Sequence, residues 1–72
     1  MIKKEDGLET FYLTFGSKYP WKRGWVEVRA VNYQMAKKLV VEVFGDKWAW
    51  LFSDVEFKKE EFPAGKIGDT MY

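Results

Sequence analysis

Asn32-Tyr33-Gln34-Met35-Ala36-Lys37-Lys38-Leu39-Val40-Val41-Glu42-Val43-Phe44-Gly45 is the stretch on which the fold turns. Met35, Ala36, Leu39, Val40, Val43 and Phe44 recur at i, i+1, i+4, i+5, i+8 and i+9, the spacing of a helix with one apolar face. Asn32 has a short side chain that can accept a backbone N–H bond, which makes it the N-cap. Gly45 reaches positive φ without steric cost and ends the helix there. Lys37 and Lys38 fall on the opposite, solvated face.

Working outward, the period changes to two on both sides. Phe11, Leu13 and Phe15 alternate with Thr10, Tyr12 and Thr14, which predicts a strand over residues 8 to 15. Trp25 to Val31 alternates again, with Val26, Val28 and Ala30 opposed to Trp25, Glu27, Arg29 and Val31. Residues 16 to 24 between them carry Gly at each end and Pro20 in the middle, so they connect two antiparallel strands. The pairing sets Val26, Val28 and Ala30 toward the same core as Phe11, Leu13 and Phe15. After the helix, Asp46 and Lys47 turn the chain into a third strand, Trp48-Ala49-Trp50-Leu51-Phe52.

Strand, helix, strand is a crossover, so the third strand runs parallel to the second and finds its place beside the first. The expected architecture is α+β: a three-stranded antiparallel/mixed sheet of order 2-1-3, in a ββαβ arrangement, packed by one helix. One helix leaves the other sheet face bare at Tyr12, Trp25 and Val31. Ser53-Asp54-Val55-Glu56 matches the capping-box pattern and predicts a short second helix over residues 54 to 61 that covers part of it. The tail from Pro63 to Tyr72, with Gly65 and Gly68, reads as irregular, leaving an ordered core of about residues 8 to 62 in a single domain spanning 1–72. Trp48, Trp50 and Phe52 share one side of the third strand. Burial favours placing them against the helix; facing the other way, they join Tyr12 and Trp25 in an apolar patch that needs a partner.

Composition narrows the chemistry. The 72 residues are 47% hydrophobic and 19% aromatic, which is too much apolar surface for a disordered chain. Twelve Lys+Arg against 11 Asp+Glu give a net charge of +1, which weakens any bulk attraction to nucleic acid. No Cys and no His removes thiolate nucleophiles, the usual metal ligands and the commonest general base, so the chain reads as non-enzymatic, with no cofactor and no metal site. Asp46, Asp54 and Glu56 have no metal-loop spacing. No apolar stretch approaches a membrane span, so a cytoplasmic location is expected.

The segment least explained by folding is Lys18-Tyr19-Pro20-Trp21-Lys22-Arg23-Gly24-Trp25. It sets three cations among three aromatics, the residue types that dominate protein-binding hot spots and that also stack on bases. Lys18, Tyr19, Trp21, Lys22, Arg23 and Trp25, flanked by Tyr12 and Arg29, are therefore the expected partner-binding residues. A purely structural role, with Tyr19 and Trp21 folded back over the open sheet face, is the competing reading.

Leu13-Thr14-Phe15-Gly16, then Gly24-Trp25-Val26-Glu27-Val28-Arg29-Ala30, Ala36 and Phe44-Gly45-Asp46-Lys47-Trp48-Ala49-Trp50 resemble small uncharacterised proteins of tailed bacteriophages and prophages. The resemblance covers roughly residues 11 to 57 and departs in the bulkier, more basic loop and beyond Phe62. It implies a protein made in the host cytoplasm that binds and redirects a host protein as an inhibitor or modulator, and it supplies no site residues. Two alternatives stand beside that reading. One is a nucleic-acid or small-nucleotide binder using the same loop with Lys37 and Lys38; the other is a self-associating structural or assembly protein, such as a homodimer joined through an edge strand.

Overall fold

The structure, a computed structural model, describes residues 7–16 and 23–72. Along the chain come β1 (Glu9–Thr14), β2 (Gly24–Ala30), α1 (Tyr33–Phe44), β3 (Trp50–Ser53), a 3-10 turn at Lys59–Glu61, and β4 (Gly65–Lys66). β1 pairs antiparallel with both β2 and β3, and β4 lies parallel on the outer side of β2, giving the order β3-β1-β2-β4. The class is α+β as expected, but the sheet has four strands rather than three.

Helix α1 starts and stops where local chemistry dictates. The Asn32 side chain accepts from the Met35 N–H at 2.9 Å, and the Asn32 carbonyl accepts from Ala36 N–H at 3.1 Å. Gly45, at φ 65°, donates its N–H to the Val41 carbonyl. Ala36 and Val40 are fully buried against the sheet, with Leu39 and Phe44 packed beside them, while Met35 and Val43 are left exposed. The buried stripe is thus narrower than the apolar pattern.

Phe11, Leu13, Phe15, Val26, Val28, Ala30 and Leu51 meet that stripe and form the core, as the alternation requires. The register follows, with Phe11 opposite Val28 and Leu13 opposite both Val26 and Leu51.

Two expectations for the C-terminal third are corrected. The tail from residue 63 is ordered as a fourth strand and its continuation: Ala64 donates to the Arg23 carbonyl (3.0 Å), Ile67 to Trp25 (2.7 Å) and Met71 to Glu27 (2.8 Å), and Arg29 donates back to Met71 (2.8 Å). A two-residue strand has no period to read, and its stability comes from β2, so nothing local announces it. The helix expected over 54 to 61 is instead a turn followed by the 3-10 turn. The capping-box contact does form, Ser53 N–H donating to Glu56 Oε1 at 3.3 Å, but it closes a turn only. Phe57 and Phe62 both pack on the sheet, and five residues of α-helix would set them about 140° apart. Continuous helix could bury one ring and would expose the other. No described helix is long and apolar enough to cross a membrane.

Candidate functional site

An apolar groove of about 240 Å³ opens between the end of β2 and the first half of α1. Arg29, Ala30 and Val31 form its floor, Met35 and Leu39 one wall, and Leu8 and Tyr72 the rim. Each arrives for a local reason. Met35 and Leu39 are four apart on α1 and so lie on one flank of the helix, beside the buried Ala36–Val40 stripe. Tyr72 is delivered by the tail, because Met71 bridges Val28 and exchanges backbone hydrogen bonds with Glu27 and Arg29. Val31, Met35 and Tyr72 are 53%, 45% and 71% exposed, so this apolar surface faces solvent. The lining is almost wholly apolar: Arg29 borders it from β2, but alternation with Val28 and Ala30 sends its side chain toward the opposite sheet face.

The opposite sheet face is closed by the chain itself. Phe57 stacks on Tyr12 at 4.4 Å and 9°, stands edge-on to Trp25 at 5.7 Å, and is followed by Phe62 at 5.2 Å. Lys59 Nζ lies over the Trp25 ring at 5.3 Å and the Tyr12 ring at 5.8 Å, a cation against two negative ring faces. Tyr12 donates its hydroxyl to Asp54 Oδ1 at 3.3 Å. Burial, then the Asp54 charge and this hydrogen bond, push the Tyr12 phenol above its ordinary value. At the edge of the same face Thr14 Oγ1 donates to the Trp50 carbonyl, while the Trp50 ring itself is 57% exposed. On the β4 side, Lys66 pairs with Glu27 at 3.4 Å and donates to Thr70, whose hydroxyl donates to Glu27.

The residues expected to bind a partner do not gather into one surface. Lys18, Tyr19, Trp21 and Lys22 lie outside the described residues. Tyr12 and Trp25 do meet, their centroids 5.3 Å apart, but each is 8% exposed beneath Phe57 and Lys59, so they serve as core rather than contact. Arg23 is exposed at the start of β2, whereas Arg29 sits at its far end on the groove. Trp48, Trp50 and Phe52 are also separated: Leu51 points into the core, Phe52 and Trp50 lie on the face away from α1, and Trp48 precedes β3, packs against the core and donates its Nε1–H to the Gly45 carbonyl.

Met35, Val31 and Tyr72 were missed as surface residues. The first two read as apolar positions in need of cover, and the third lay in a tail with no pattern; the exposed signal was an apolar stripe on α1 wider than one sheet can bury. Among the described residues, no three acidic side chains gather in a cluster able to hold a metal. No family model, no curated protein and no solved structure matches this chain.

Proposed function

We propose that this chain is a non-catalytic phage accessory protein that acts in the host cytoplasm by binding and modulating a host protein, with the groove beside Arg29 as its contact. One observation carries the reading: an open apolar groove that brings Val31, Met35 and Tyr72 together at the surface. Methionine adapts its shape to an inserted side chain, while Tyr is among the types that most often dominate binding energy. Such a groove suits an apolar side chain of the partner, which would fill the cavity between Val31, Met35 and Tyr72. The phage context rests on the strand and turn motifs of residues 11 to 57.

The test is capture from nuclease-treated host lysate by tagged wild type and by Met35→Lys, which places a charge in the groove at a half-exposed site. A host protein retained by the first, lost by the second, and rebound in purified form supports the reading. Equal retention by both chains, with Met35→Lys folded, moves the contact elsewhere. No host protein retained, together with binding of purified polynucleotide that weakens steeply with salt in a separate titration, would favour the nucleic-acid alternative.

A further inference from the structure

The sheet face away from α1 holds a feature independent of the groove, a corner of two rings with a cation in it. Tyr12 on β1 opposes Glu27 and Trp25 on β2 opposes Thr14, so the two are diagonal neighbours across the ladder, and their rings meet at 5.3 Å and 77°. Lys59 Nζ lies within cation–π reach of both centroids, 5.3 Å from Trp25 and 5.8 Å from Tyr12. Phe57, stacked on Tyr12 and edge-on to Trp25, buttresses the corner. Asp54, which accepts the Tyr12 hydroxyl, sets a carboxylate at its rim. Glu60 and Glu61 follow Lys59 directly, yet among the described residues its ammonium pairs with no carboxylate. The charge is held by the rings.

We propose that this corner is a binding site for a trimethylammonium group, and that Lys59 occupies it in the ligand's place. A primary ammonium gives up strong hydration to enter such a corner. A trimethylated one is weakly hydrated, keeps its full charge and fills the space between the rings with methyl groups, so it gains more from the same two faces. The cover is also removable. Lys59 is exposed, its side chain is long and unbranched, and among the described residues its ammonium is anchored by the rings alone, so it can turn out to solvent without disturbing β1 or β2. Rings that are each 8% exposed with Lys59 in place then open on one side.

Titration of the full chain with tetramethylammonium chloride to about 100 mM, against sodium chloride at the same ionic strength, tests this by proton NMR. In the wild type the N-methyl protons should show contacts to the Trp25 indole and the Tyr12 ring, and the Lys59 ε-methylene, held upfield by the rings, should move to its free position as the site fills. Lys59→Ala should bind about tenfold more tightly, the gain expected if Lys59 leaves the corner open about one time in ten. Lys59→Gln serves the same comparison if the Ala variant fails to fold. tert-Butanol, alike in shape but uncharged, should bind neither chain. Choline and a peptide carrying trimethyllysine separate the two sources of the group: equal affinity assigns a free cation, and a preference of about tenfold for the peptide assigns a protein side chain. A wild type with no saturable shift, a Lys59→Ala chain that binds no more tightly, or tert-butanol binding as well as the cation overturns the proposal.

Discussion

Ile67 occupies the space that a side chain on Gly24 would fill: a Cβ built at Gly24 would stand 2.7 Å from Ile67 Cγ1 and 3.0 Å from the Gly65 carbonyl oxygen. The fourth strand docks through this vacancy, since Gly24 opposes Gly65 and Trp25 opposes Lys66 in the parallel pair.

Gly24→Ala should accordingly cost about 1–3 kcal/mol, the range for overpacking a close contact. The cost should fall when Ile67 is also replaced by Ala. Urea unfolding of the two single variants and the double gives the coupling, expected above about 0.5 kcal/mol. Additive effects would show that the two residues do not share the space.

Tyr12 should make stability fall in alkali. Its phenol ionises above the ordinary value near 10 in the folded chain, so the folded state holds that proton while the unfolded state releases it. The contribution is complete below the ordinary value and lost as pH rises through the folded one. Denaturant unfolding of wild type and Tyr12→Phe at about pH 8 and about pH 11 should show their difference shifting in favour of Phe at the higher pH. Asp54→Asn, which removes the adjacent charge, should lower the Tyr12 midpoint in an absorbance titration.

Asn32→Ala removes the acceptor for the Met35 N–H and should lower stability by about 1 kcal/mol. Asn32→Asp retains an oxygen in the same place and should restore most of the loss. Thermal or urea unfolding of the pair separates a capping effect from a general surface effect.

Leu51→Ala empties a position with no solvent exposure and should cost roughly 2–5 kcal/mol. Val55→Ala, four residues on at a site 92% exposed, should change stability by no more than about 0.5 kcal/mol. Comparable losses at both sites would contradict the inward setting of Leu51.

Met35→Lys should unfold within about 0.5 kcal/mol of wild type, because the side chain is already 45% exposed and the helix tolerates lysine. That margin is what makes it usable as a probe of the groove. A large loss would mean that Met35 contributes to the core.

Short-range chemistry along the chain was enough to place α1, its Asn32 cap and its Gly45 stop, and the common facing of Phe11, Leu13, Phe15 with Val26, Val28 and Ala30. Each of these depends on a period or a single backbone preference carried by adjacent residues. The rest depended on surfaces that exist only after the chain has folded. β4 needed the room beside Gly24, Tyr12 and Trp25 became core because Phe57 and Lys59 reached across them, and the groove arose where α1 presented more apolar surface than β2 could cover. No local pattern encodes such outcomes, because whether a ring is buried or exposed is decided by which distant segment arrives to cover it.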